Sequence, residues 1–140
     1  MSIFEAAHSP WPQRMLSVLR IVASLVFITY GTMKLFNYPP LPKGMPPIAF
    51  ASQMGLAGTL EVVGGLLMLI GLFTRPVAFT LSGEMAVAYF QFHYPRSFWP
   101  TENMGTPPIL YCFIFLYLVF AGAGHWSVDA MIARAKAGKT

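Results

Sequence analysis

Four apolar stretches, each 18 to 20 residues long, dominate this 140-residue chain. They run from Met15 to Met33, Met54 to Phe73, Pro76 to His93 and Thr106 to Gly124. At 1.5 Å per residue, a helix of that length crosses a hydrocarbon core about 30 Å thick. The first three are interrupted by one charge each, Arg20, Glu61 and Glu84, and the fourth by none. A charge at the centre of a spanning helix costs roughly 2.5–3.5 kcal/mol, while each Leu, Ile, Val or Phe returns about 0.3–0.6 kcal/mol. The second stretch has ten such residues, so the sum is near zero or favourable. Composition agrees: 56% of residues are hydrophobic and 10% charged, against about 25% charged in soluble domains. The first stretch reads as a retained helix and not a cleaved signal, because it is long, carries Arg20 and precedes three more.

The breaks between stretches set the expected topology. Thr74-Arg75-Pro76 is a tight connection that makes the second and third helices antiparallel neighbours. Residues 36–53 hold five prolines and residues 94–105 two more with Trp99, so regular helix stops there. The aromatic side chains of these loops suit a membrane–water interface. Arg14, Arg75, Arg134, Lys136 and Lys139 fall on one side, with Arg20 near it, and Lys34, Lys43 and Arg96 on the other. The positive-inside rule assigns the first set to the cytoplasm. Ser127 is an expected N-cap, with Asp129 in the first turn where the helix dipole favours an anion. Val128, Met131, Ile132 and Ala135 share a face, so residues 127–136 read as a short helix on the cytoplasmic leaflet. The expected fold is an all-α membrane protein. It is one domain, an antiparallel four-helix transmembrane bundle with helices about 15–35, 54–73, 76–93 and 106–124, and both termini inside.

The net charge of +4 does not point to nucleic acid, because the basic residues stand singly at the ends of apolar runs and form no basic face. That placement fits orientation signals and anionic lipid. With Cys112 as its single cysteine, the chain has neither an internal disulfide nor a CxxC pair. Nine scattered methionines read as packing. No metal-spaced His/Cys cluster, P-loop or GxGxxG occurs.

Several segments, in order, resemble the DoxX family of small four-helix bacterial membrane proteins. They are Leu19-Arg20, Gly31-Thr32-Met33-Lys34-Leu35, Glu61-Val62-Val63-Gly64-Gly65, Gly71-Leu72-Phe73-Thr74-Arg75 and Gly122-Ala123-Gly124-His125-Trp126-Ser127-Val128-Asp129. Together they span about Leu16 to Asp129. The resemblance implies residence in the bacterial inner membrane. It also implies association with quinone-linked oxidation, thiol and oxidative-stress systems, or accessory roles beside other membrane proteins. Redox members with paired cysteines differ from this chain, which has only Cys112; autonomous thiol chemistry is not expected of it.

Ionisable groups inside a membrane need a partner or a wet cavity. Measured from the helix ends, Arg20 and Glu84 lie roughly 8 and 12 Å from the cytoplasmic side, so an Arg20–Glu84 pair is expected. Lys34 at the outer end of the first helix is expected to reach Glu61, roughly 10 Å below the outer end of the second. Ser17, Ser24 and Gly31 continue the Arg20–Lys34 stripe. Thr80, Glu84, Val87 and Gln91 share a face of the third helix, and Gly64, Gly65 and Gly71 allow close helix approach. This polar seam either fixes helix register or lines a cavity for a quinone, a lipid or a proton path. His93, Tyr94 and Trp99 form a possible ligand interface at the outer side. His93 is about 180° around the helix from Glu84, so the two form no dyad. His125, Trp126 and Asp129 mark the cytoplasmic interface, where Asp129 either pairs with Arg14, Arg20 or Arg75 or serves as a first-turn acid.

Three functions compete. The first is a redox-associated accessory subunit that binds quinone or lipid in the seam and serves a partner oxidoreductase. The second is a non-catalytic structural or assembly subunit of a larger membrane complex. The weakest is a small-solute transporter, because four helices line a path only in an oligomer and no inverted repeat is evident. No catalytic set or metal site is assigned, and the chain reads as no autonomous enzyme.

Overall fold

A computed structural model describes residues 9–139, and all regular structure among them is helical. Helix α1 spans Trp11–Phe36, α2 Gln53–Ile70, α3 Thr74–Ala88, α4 Thr106–Ala121 and α5 Val128–Ala137; a π-helical turn, Tyr89–His93, extends α3.

Each end has a local cause. Helix α1 opens with Pro12 in its first turn, where a missing N–H goes unnoticed. It closes at Asn37, whose left-handed backbone returns its N–H to Met33 O at 3.1 Å. Ser52 caps α2 by accepting from Gly55 N at 3.1 Å, and Gly71 at φ +69° ends it. Ser127 caps α5 as expected, accepting from Ala130 N at 3.1 Å.

Three boundaries differ from the sequence expectation, the simplest being α4, which ends at Ala121 and not at 124 because Gly122, at φ +85°, turns the chain. Helix α1 begins at Trp11, four residues before the apolar run. The α2–α3 connection is Gly71-Leu72-Phe73, and Thr74-Arg75-Pro76 is the first turn of α3. Pro76 stops nothing there, because a first-turn residue needs no intrahelical N–H bond. What makes the turn possible is distant in sequence: the Asp129 carboxylate accepts from Phe73 N and Thr74 N, each at 2.9 Å.

Helix α1 packs mainly on α2 and α3 mainly on α4; the two pairs meet through α2 with α3 and α1 with α4. Phe27, Met68, Leu81, Phe115 and Leu118 form the centre of the core. The rings of Phe27 and Phe115 meet edge-on at 4.9 Å. Gly31 and Gly64 allow the close approach: a Cβ on Gly31 would lie 2.8 Å from Gly58 O, and one on Gly64 2.8 Å from a Leu81 methyl.

Helices α1 and α2 are long and apolar enough to cross a membrane; α4 is apolar and shorter. Most residues of both helices are not buried inside the protein. Their outer faces, with Val22, Leu25, Val26, Val63 and Leu66, are exposed, as are Phe79, Phe90, Phe113 and Phe120 on the other pair. An apolar exterior of this extent is unsuited to water and matches lipid.

Candidate functional site

Two polar clusters are buried among these apolar helices. The first surrounds Arg20, which has no exposed surface. Its guanidinium donates from Nε to Ala123 O at 2.8 Å, from Nη1 to Met68 O and Leu69 O at 2.5 Å each, and from Nη2 to Trp126 O at 2.5 Å. Met68 and Leu69 lie in the last turn of α2, where the helix dipole is negative and carbonyls run short of intrahelical donors, although Met68 O also accepts from Gly71 N at 3.1 Å. Ala123 and Trp126 belong to the loop after α4. A fork of fixed N–H donors matches such a ring of carbonyls.

Other bonds close the same junction. Ser17 Oγ accepts from Trp126 N at 3.0 Å. Ser24 Oγ donates to Arg20 O at 2.6 Å. Asp129 N donates to Gly71 O at 2.9 Å while its carboxylate caps α3. Gly124, at φ +77°, lies so close to α1 that a Cβ would be 2.7 Å from Gln13 O. His125 and Trp126 contribute through their backbones; both side chains are exposed.

The expected Arg20–Glu84 pair does not form. Residues 13 to 17 of α1 lie against the loop after α4, and Arg20 is level with the end of α2, so α1 overhangs the α2–α3 turn. Glu84 follows the start of α3 by ten residues, roughly 15 Å from that turn. Depth counted from each helix's own end therefore misplaced Arg20 relative to α3. Nor does Asp129 pair with an arginine: its oxygens take backbone amides, Arg75 donates to Val119 O at 3.2 Å, and Arg14 lies over the Trp11 ring at 5.3 Å.

The second cluster is Lys34, Glu61 and Glu84. Lys34 Nζ binds Glu61 Oε1, as expected from the sequence, with Glu61 2% exposed and Lys34 18%. Glu61 precedes Gly71 by ten residues and Glu84 follows Thr74 by ten, which places the two carboxyls at one depth. The charges that bear on Glu84 are those of Glu61 and Lys34. Three buried oxygens here, Glu61 Oε2 and both of Glu84, have no hydrogen-bond partner among the described residues. Thr80, Val87 and Gln91, expected to share the Glu84 face, are exposed; Leu81, Ser82 and Met85 form the buried face of α3 instead. Above Lys34, an open pocket of about 470 Å³ lies between the end of α1 and the Pro-rich loop, lined in part by Asn37, Pro40, Lys43 and Ile48.

The aromatic end is built differently. His93 Nδ1 donates to Asn103 O at 2.9 Å. Buried Asn103 donates to Ser97 O at 2.7 Å and accepts from Gly105 N at 2.7 Å. Tyr94 and Trp99 are exposed, in a chain of rings running from Tyr89 to Trp99. Here His93 holds a loop in place.

A sequence model of the DoxX family matches residues 15–94, more than half of the chain. This chain belongs to the DoxX family. It is 42% identical over 117 residues to an uncharacterised protein of Haemophilus influenzae, covering 81% of this chain and 87% of the relative. It is 25% identical over 158 residues to an uncharacterised membrane protein of Mycobacterium tuberculosis, covering 96% of this chain and 95% of the relative. No solved structure matches it significantly.

In this DoxX protein the segments that carried the resemblance meet in space. Leu19-Arg20, Gly71 to Arg75 and Gly122 to Asp129 form the Arg20 junction; Gly31 to Leu35 and Glu61 to Gly65 form the Lys34–Glu61 contact. Sequence reasoning missed Asn103 and the reciprocal Gln53–Gln91 amide pair, 2.7 and 3.2 Å. Single polar residues at loop edges carry no periodic signal, so nothing in the sequence marks them.

Proposed function

We propose that this DoxX membrane protein is an accessory subunit of the bacterial inner membrane that holds the polar head of a quinone or lipid beside Lys34 and serves a partner oxidoreductase. In this reading α1 to α4 are four antiparallel spanning helices, both termini are cytoplasmic, and α5 lies on the cytoplasmic leaflet. Exposed Met131 and Ile132 and the basic Arg134 and Lys136 support the last assignment. The carrying observation is the pocket at the end of α1. It joins Lys34, Lys43 and Asn37, which suit the oxygens of a carbonyl or phosphate head, to a buried carboxyl cluster. Gentle detergent extraction followed by native mass spectrometry and lipid analysis tests it. A quinone or phospholipid should remain bound and be lost in Lys43→Ala. Recovery of protein free of both would overturn the reading.

A second reading is a purely structural or assembly subunit. It is favoured by the Arg20 junction, whose donors are occupied by backbone, and by the exposed rings of Phe98 and Trp99 on the outer loop. Stable co-purification of another membrane protein without any bound small molecule would select it.

A further inference from the structure

We infer that Glu61 and Glu84 hold one exchangeable proton, passed to and from the Pro-rich-loop face by Lys34. The count of charges is the first ground. Two carboxyl groups stand at one depth among apolar helices with a single ammonium, Lys34, beside them. A buried carboxylate without a countercharge is expensive, and a proton removes that expense. Besides Glu61 and Glu84, the elements around the site carry Arg14, Arg20, Tyr30 and Lys34 on α1, Arg75 on α3 and Tyr111, Cys112 and Tyr117 on α4; Lys34 is the cation bonded to a carboxyl of the cluster.

The second ground is space. Glu61 is 2% exposed, and its Oε2 has no partner among the described residues. Both oxygens of Glu84 are likewise shielded from contact by anything the size of water. A proton fits there without rearrangement; a larger cation or a lipid head does not.

The third ground is access. Lys34 Nζ binds Glu61 while the Lys34 side chain stays 18% exposed, and the residue lines the open pocket. Its ammonium releases a proton to water in the pocket, and the amine is reprotonated by the carboxylic acid. One N–H bond breaks and one re-forms, an O–H bond breaks, and both glutamates are left as carboxylates. Uptake runs in reverse. In the opposite direction stands the buried Arg20 guanidinium, a fixed positive charge that repels protons. The site is therefore one-sided, a proton store and not a channel. The inference rests on the membrane-spanning reading and is independent of which ligand occupies the pocket.

Infrared spectroscopy of the whole protein in lipid nanodiscs at neutral pH tests it. The wild type should show a protonated-carboxyl stretching band that shifts in heavy water and is lost in Glu84→Gln or Glu61→Gln. Lys34→Arg keeps the charge but cannot give up a proton, so the band should persist and exchange at least tenfold more slowly. A wild type without the band, or a band unchanged in both Gln variants, overturns the shared proton. Unchanged exchange in Lys34→Arg overturns the lysine route. Because the wild-type band is itself decisive, the test survives a variant that fails to fold. Absence of bound quinone or lipid would refute the proposed function and leave this result standing.

Discussion

Arg20 and Glu84 illustrate how burial alone does not choose a partner. Each sits in an apolar helix and needs compensation, and opposite charges invite a pairing. Arg20 instead binds four carbonyls of α2 and the loop after α4, of which Met68 O also accepts from Gly71 N. Removing it takes the guanidinium donors from Leu69 O, Ala123 O and Trp126 O, and an unsatisfied buried polar group costs about 1–3 kcal/mol. Arg20→Leu should therefore lower stability by about 3 kcal/mol or more, read as a fall in thermal midpoint in detergent. Glu84→Leu removes a group without a hydrogen-bond partner among the described residues and should be near neutral. The double variant should show no rescue, since uncoupled sites add within roughly 0.5 kcal/mol. Lys34 and Glu61 are the contrasting case. Lys34→Met leaves Glu61 buried without its ammonium and should cost about 3–5 kcal/mol. Adding Glu61→Leu should recover most of it, so a double-mutant cycle should give strong coupling here and none at Arg20–Glu84.

At the scale of elements, helix starts and stops depend on two kinds of cap. Ser52 and Ser127 are local caps, three residues from the amides they accept from; Ser127 was expected from the sequence and Ser52 was not. The cap of α3 is supplied by Asp129, 55 and 56 residues away, and no pattern finds that. The same carboxylate couples α5 to the α2–α3 turn. Asp129→Ala should destabilise by about 1–2 kcal/mol, with α5 and the start of α3 losing amide-exchange protection together. Protection lost in α5 alone would show that the two are not coupled. Within the π-helical turn at Tyr89–His93, Gln91 bonds Gln53 of α2 and His93 bonds Asn103 O in the following loop, contacts that also lie outside the reach of a local pattern.

For the whole molecule, orientation is the prediction that follows most directly from charge. The single cysteine makes the experiment simple: in a Cys112→Ala background, Lys43→Cys and Lys139→Cys should label from opposite faces of intact membrane vesicles. Labelling of both from one face would refute an even number of crossings. The Arg20 junction also makes a global claim. It ties together α1, the end of α2, the start of α3 and the loop after α4, so its loss should loosen the whole fold and leave the Lys34 end no more protected than the rest.

The sequence by itself determined that this chain is helical, that its exterior is apolar, where each apolar helix lies to within a few residues, and that Lys34 meets Glu61. These follow from local quantities: run length, hydropathy, local capping residues and a reach of one flexible side chain. Only the tertiary structure decided that α1 overhangs the α2–α3 turn, that Arg20 binds carbonyls and that Asp129 caps α3. The Glu84 oxygens, without a hydrogen-bond partner among the described residues, belong to the same class. Each of these depends on the axial offset between helices, which is set by side-chain packing such as Gly31 against α2 and Gly64 against Leu81. A helix slid by two turns keeps its composition and periodicity unchanged, so no pattern along one chain reports the offset.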